Sequence, residues 1–451
     1  MDNLTAEISR FAANLRFADL PGAVVHGARQ RLIDTIGCAF GGRDSEAVRI
    51  ARLTGGAPRP GGRPGRCLTF AERMSVESAA FVNSTMSRYL DFNDTGPGSH
   101  PSDSIGGLLA VAESAGADGR RLLGAMVVAY ETLVRLAFGT DFRKRGWDQG
   151  FVTAVGSAAG TAHLLGLDAE RTAHAVAIAA CANVPLRASR AGQLSLWKAC
   201  ATPFAARNGA MAAVFAAEGM SGPEKPFEGR FGLWEQLTGP FALQPFPDAG
   251  GEFLFNRWSR LKFWPVEYNA QICVWAAREL RQRMTVAEIA SIEVSTYRQA
   301  WHEIGSEPAK WDPQTRETAD HSLPYIFART LTDGAITVAS FDKAKYADPA
   351  IRPLMAKITV RADDAFSQQF PASVPIRVTA ESTSGRKETI EMSNPLGHDK
   401  NPMSDADIEA KFHGLADPLL GPERATAALG QLWQIDTALS LTPSLDGLIV
   451  V

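Results

Sequence analysis

Up to about residue 245 the apolar positions recur three and four apart, the period of a helix with one buried face. FAANLRF (11–17), VVHGARQRLIDTIGCAF (24–40), VESAAFVNSTMSRYL (76–90), LLGAMVVAYETLVRLAF (122–138), VGSAAGTAHLLGL (155–167) and ERTAHAVAIAACAN (170–183) all carry it. Alanine and glycine are frequent on these segments, which predicts helices packed closely on one another, and Gly41-Gly42 and Gly139 supply stops. From about 265 to 395 the pattern changes. IASIEVSTY, KITVRAD, PIRVTAES and KETIEMS alternate or cluster β-branched residues and predict strands. Helical stretches such as SLPYIFARTLTDGAI and ADPAIRPLMA separate them. The tail returns to amphipathic helix in SDADIEAKFHGLADPLL and PERATAALGQLWQIDTAL, with Ser404 and Pro422 as start signals. A helical tail after an α+β insert predicts that the chain re-enters its first domain. The expected fold class is mainly α, with a smaller α+β part.

Composition narrows the function. A chain of 451 residues is too long for one compact core, so two or three domains are expected. Forty-six Lys and Arg against 49 Asp and Glu leave a net charge of −3. That balance provides neither a basic face for nucleic acid nor a polybasic membrane patch. Nowhere does an uninterrupted apolar run approach the roughly 18 residues of a membrane span, and the acidic amino terminus lacks the basic start of a signal peptide. The five cysteines, at 38, 67, 181, 200 and 273, form no CxxC pair. Their scatter argues against a disulfide framework and against a zinc or iron–sulfur site. A cytoplasmic location is expected, with no metal and no partnership with nucleic acid or membrane. GGAPRPGGRPGR (55–66) reads as a surface loop and lacks the GxxxxGK[ST] spacing of a phosphate loop.

Four clusters could carry chemistry. In RYLDFNDTGPGSHPSD (88–103), a helix ending near Leu90 delivers Asp91 and Asp94 to its carboxyl end, where the dipole disfavours acids. His100 follows, a base or acid near neutrality. Pro101-Ser102-Asp103 is also good helix-start chemistry, so Asp91 and Asp103 read equally as caps. In VPLRASRAGQLSLWK (184–198), Arg187, Arg190 and Lys198 lie between two apolar helices, as a solvated edge or as clamps for an anion. Lys262 sits among Phe263, Trp264 and Pro265, a setting that partly desolvates it. TRETADHSLPY (315–325) brings Arg316, Asp320, His321 and Tyr325 to a helix start, where capping is the competing reading. A GxSxG elbow, an HExxH pair and a GxGxxG after a strand are all missing. Acid/base groups beside several cations suit a polyanionic small substrate and proton transfer.

Taken in order, these segments resemble the MmgE/PrpD family, which includes 2-methylcitrate dehydratases, cis-aconitate decarboxylases and iminodisuccinate epimerases. The resemblance rests on RYLDFNDT…HPSD, GWDQGFVTAVGSAAGTAHLLGLD, GQLSLWK…ARNG…AAEGMSGPEKPFEG, LKFWPVEYNAQ, TRETADHSLPYIFARTLTDG and NPLGHDKNPMSDADIEAKF, and spans nearly the whole chain. It implies an all-helical domain from both chain ends (1–262 and 396–451), an inserted α+β domain (263–395), a homodimer, and an active site between the domains that needs no cofactor. By motif, Asp91, Thr95, His100, Lys198, Lys262 and Tyr325 align with family active-site positions. The implied reaction moves a proton at a carbon next to a carboxylate. His100 would be the base or acid, with Asp91 orienting it. Lys198 and Lys262 would hold carboxylates, assisted by Arg187 and Arg190. Tyr325 or His321 would close the site and assist departure of hydroxide.

The decarboxylase branch carries Gly-Phe-His where this chain has Gly150-Phe151-Val152, and a histidine where Ala201 stands. WDQG, SLWK, PVEYNAQ and TADHSLPY instead resemble the iron–sulfur-free methylcitrate dehydratases. The expectation is a hydro-lyase for a hydroxylated di- or tricarboxylate such as 2-methylcitrate or citrate. The alternatives are a cis-aconitate-type decarboxylase, an iminodisuccinate-type epimerase, or an inactive carboxylate-binding relative. The Thr95–His100 segment is shorter than in the dehydratase branch, which makes the reach of His100 the question for the structure.

Overall fold

The six helical segments expected before residue 245 form as Asn3–Asn14, Gly22–Gly42, Val76–Arg88, Gly119–Gly139, Gly150–Leu165 and Ala169–Ala182. The structure is a computed structural model that describes residues 1–58 and 60–451. Arg59, within the loop expected at 55–66, lies outside the described residues. Two further helices, Ile105–Ala115 and Ala201–Ala217, complete the packing around Gly150–Leu165. The alanine and glycine content does the work expected of it. A Cβ placed on Gly209 would overlap the carbonyl oxygen of Ala154 on the facing helix, so the two backbones touch there because glycine permits it.

Gly119–Gly139 is, among the described residues, the one helix long and apolar enough by composition to cross a bilayer. Its surroundings are protein: 83% of its most apolar window is buried. It also carries a fully buried ion pair, Glu131 with Arg135. Glu131 accepts from the backbone of Leu254 and Phe255 at 3.1 and 2.7 Å, and Arg135 donates to the Glu252 carbonyl at 2.7 Å.

All four expected strands form, as β3 to β6 of the molecule. β1 (Gly65–Arg66) and β2 (Arg73–Met74) are a two-residue antiparallel pair too short to leave an alternating pattern. β3 (Ile289–Thr296), β4 (Ile358–Ala362), β5 (Ile376–Ser382) and β6 (Lys387–Met392) build a mixed sheet in the order β4-β3-β5-β6. β3 runs parallel to β4, with Val294 opposite Val360, and antiparallel to β5, with Val294 opposite Val378. Alternate residues of β5 are buried beneath the helix Gln271–Arg283, and Leu323–Asp333 packs on that helix. The architecture is mainly α with a smaller α+β part.

The buried apolar residues separate accordingly. One cluster joins Leu32, Phe40, Met86 and Tyr130 to Phe412 and Leu429 of the tail helices Asp405–Leu420 and Pro422–Trp433. Another draws only on residues between 264 and 390, with Ile272, Leu280, Val294, Phe327 and Val378 at its centre. Ser404 caps the first tail helix, accepting from the Asp407 amide, and Pro422 opens the second.

Candidate active site

The helix Val76–Arg88 stops short of the motif, and three residues later Asp91 turns into the left-handed region at φ 52°. Aspartate tolerates that conformation better than most residues. The turn aims its carboxylate inward, where it is 1% exposed. The Arg88 guanidinium donates to Oδ1, Lys262 Nζ lies 3.1 Å from Oδ2, and Lys198 Nζ lies 3.8 Å from Oδ1. Lys262 also donates to the Asp91 carbonyl at 2.7 Å. Burial opposes a charge on Asp91, but Arg88, Lys198 and Lys262 together outweigh it and hold the carboxyl well below its usual range. Asp103 takes the Asn93 amide at 2.9 Å and lies 3.7 Å from Arg88 Nε. Both acids are therefore partners of a buried arginine, and neither caps a helix.

The short segment after Asp91 is folded on itself. Thr95 and Arg260 exchange backbone hydrogen bonds of 2.8 and 2.7 Å, and the Gly96 amide donates to the Ser99 carbonyl at 2.7 Å. This turn carries His100 back to the Asp94 carbonyl, 2.6 Å from its Nδ1. A carbonyl only accepts, so Nδ1 bears the proton and Nε2 keeps its lone pair. Nε2 lies 3.8 Å from Asp91 Oδ1. Burial, with the charges of Arg88 and Lys262, pushes the imidazole pKa well below 6.5, and Asp91 opposes this only in part. His100 is thus a neutral acceptor at pH 7, and the short segment reaches the site.

Lys198 lies within a 3-10 turn, Leu196–Ala199, and is fully buried. Its ammonium lies 3.2 and 3.3 Å from the two carboxylate oxygens of Asp320. Burial lowers its pKa while Asp320 and Asp91 support its charge. Asp320 also takes Arg316 at 3.3 Å and His321 Nδ1 at 2.5 Å. His321 therefore points its unprotonated Nε2 away from that carboxylate, and burial together with Lys198 brings its pKa to about 4.

Several of these groups border a cavity of about 280 Å³. Asp91, Thr95, His100, Arg187, Arg190 and His321 line it, so the structure brings six of the nine expected site residues to one surface. Phe138, Phe142, Val152, Trp258 and Phe370 supply an apolar wall, and Arg88, Arg143, Arg260, Glu267 and Glu303 complete the charged side. Each arginine has a carboxylate partner: Arg187 with Glu303 at 2.5 Å, Arg190 with Asp148 at 2.9 Å, Arg260 with Asp399 at 3.0 Å and Arg143 with Asp141 at 3.5 Å. Arg190 Nη2 is buried with no partner among the described residues, which leaves one donor for an anion.

Three expectations are corrected in position. Lys198 and Lys262 do not line the cavity: both are fully buried beside Asp91 and support its charge. Tyr325 lies in the apolar core of the smaller part, its hydroxyl donating to the Ser340 carbonyl. One turn into its helix, its side chain falls on the core-facing side. The sequence reading passed over Arg88, Arg260 and Glu267. Arg88 stood three residues before Asp91 inside the quoted motif, a spacing that pairs opposite charges at a helix end. Arg260 and Glu267 flank Lys262 and left no signal of their own.

The chain has matching relatives over most of its length. It is 29% identical over 415 residues to a 2-methylcitrate dehydratase of Cupriavidus necator, covering 85% of this chain and 84% of that one. It is 28% identical over 408 residues to the 2-methylcitrate dehydratase of Escherichia coli K12, covering 81% and 80%. It is 26% identical over 442 residues to the human cis-aconitate decarboxylase, covering 93% and 89%. The MmgE/PrpD N-terminal domain matches residues 6–245 and the MmgE/PrpD C-terminal domain residues 264–435. The protein belongs to the MmgE/PrpD family.

Proposed function

We propose that the protein is a hydro-lyase that removes water from a hydroxylated di- or tricarboxylate, with 2-methylcitrate or citrate as the leading substrates. The observation that carries this is His100: a neutral imidazole on the cavity wall, its Nδ1–H fixed on a carbonyl and its Nε2 free beside a permanently ionised Asp91. A proton next to a carboxylate is very weakly acidic, so the charge that develops on its removal must be stabilised. Arg187, Arg190 and Arg260 line the cavity for that purpose, and preorganised cations of this kind supply several kcal/mol. A positioned base adds about 10²–10⁴-fold. Lys198 and Lys262 keep Asp91 ionised, and Asp91 in turn stabilises the imidazolium that forms when His100 takes the proton. Val152, on the apolar wall, is a poor proton carrier and a good neighbour for an alkyl group, which favours dehydration over decarboxylation.

Incubating the purified protein with 2-methylcitrate, citrate and cis-aconitate, while following alkene absorbance and CO₂, tests the assignment. Alkene formation without CO₂ is the expected result. Carbon dioxide release without alkene interconversion would mean a decarboxylase, epimerisation without loss of water an epimerase, and inertness across the panel a carboxylate-binding relative. The reading includes a metal- and cofactor-independent, cytoplasmic enzyme of propionate metabolism acting as a homodimer. Leu186, Trp197 and Phe204, exposed along one groove, support self-association, which sedimentation measures directly.

A further inference from the structure

Loss of water needs two proton movements, and the groups described so far provide one. His100 accepts. His321 is neutral near pH 7, its single N–H committed to Asp320, so it has no proton to give. Tyr325 is outside the cavity. Four carboxyl groups line the cavity among the described residues: Asp91, Asp141, Glu267 and Glu303. Asp91 is paired with Arg88, Asp141 with Arg143 and Glu303 with Arg187. Glu267 has no cation within ion-pair distance among the described residues. Its oxygens take only the Asn269 amide and side chain, at 2.6 and 2.8 Å.

We propose that Glu267 is the catalytic acid of this reaction, giving the proton with which the substrate hydroxyl departs as water. The proposal rests on the dehydratase reading above. Glu267 N–H is bonded to the Asp320 carbonyl at 3.0 Å, which joins its backbone to that of the residue before His321, and both Glu267 and His321 line the cavity. Around it stand Lys262 and Lys310 on the cationic side, Asp91 and Glu303 on the anionic side, and the phenols of Tyr268 and Tyr297. Burial dominates this balance and raises its carboxyl to about 7, so the acid form is populated at neutrality. In the step, His100 Nε2 takes the proton from the carbon next to a carboxylate. That C–H pair becomes the C=C bond, the C–O pair leaves on oxygen, and the Glu267 O–H proton joins it to form water. Reprotonation of Glu267 and release of the His100 proton to solvent reset the site.

The substitution E267Q removes the acidic proton and keeps an oxygen for the Asn269 amide. The expected result is a roughly 10²–10⁴-fold loss of kcat on 2-methylcitrate. Turnover of the analogue with fluoride in place of that hydroxyl, a leaving group that needs no acid, should stay close to wild type. Exchange of the substrate C–H with solvent deuterium persists, and the fall of wild-type kcat/KM as pH rises through about 7 disappears. E267D, which keeps an acid one methylene shorter, recovers part of the hydroxyl-dependent rate. Equal losses on both substrates, or no loss on either, would overturn the role of Glu267 alone. A wild-type enzyme that neither dehydrates nor exchanges would overturn the dehydratase reading and this proposal with it.

Discussion

Lys198 shows how the meaning of a residue changes between sequence and site. Its neighbours suggested a hand for a substrate carboxylate, whereas its ammonium is buried between Asp320 and Asp91 and helps to balance both. Replacing it with alanine leaves two buried carboxylates short of a cation, so K198A should destabilise the fold by about 3–5 kcal/mol in chemical denaturation, as well as lowering turnover. His321 gives a prediction of definite sign. Its folded pKa is about 4 against an ordinary 6.5. Between those values the unfolded chain takes up a proton that the folded chain refuses, so its contribution is intact above pH 6.5 and is lost as pH falls toward 4. H321N should therefore lose less stability than wild type across that window, measured by urea unfolding at its two ends. That Asp91, Thr95, His100, Arg187, Arg190 and His321 share one cavity was legible because motif order stands in for proximity. Glu267 was not, because nothing local distinguishes a glutamate that caps Tyr268–Ala270 from one that also lacks a cation.

At the scale of elements, alternation and period located the four strands of the mixed sheet and the first tail helix to within a residue or two, whereas the second tail helix, expected to run on to Leu439, ends at Trp433. Both signals are local, set by which face of a strand or helix is buried. What failed to register was short: β1 and β2, and one-turn helices such as Phe255–Trp258 and Arg316–Ala319, whose few residues hold no period. The helix pair Gly150–Leu165 and Ala201–Ala217 crosses where Gly209 meets the Ala154 carbonyl. G209A must push that crossing apart and should cost about 1–3 kcal/mol, read as a lower denaturation midpoint with an unchanged slope. Since Lys198 lies three residues before Ala201–Ala217, part of that displacement should reach the site as a lower kcat.

On the scale of the whole molecule, the cavity draws residues from 88 to 152, 187 to 190, 258 to 303, 321 and 370 to 371. Five arginines line it, and Lys144 and Arg145 stand exposed beside Arg143. An anionic substrate should be steered by this rim, so kcat/KM should fall as ionic strength rises while kcat changes little, which steady-state assays in graded salt would record. One lysine helps to tie the site to the end of the fold. Lys411, on Asp405–Leu420, donates to the carbonyls of Phe92 and Lys262 at 2.7 and 2.9 Å and to Asp34 at 2.6 Å. It therefore fixes the backbone that presents Asp91 without approaching the substrate. A ribosome delivers residues 34, 92 and 262 long before residue 411. Until that lysine emerges, the loop bearing Asp91 lacks its clasp, so activity should arise only once the closing helices are made.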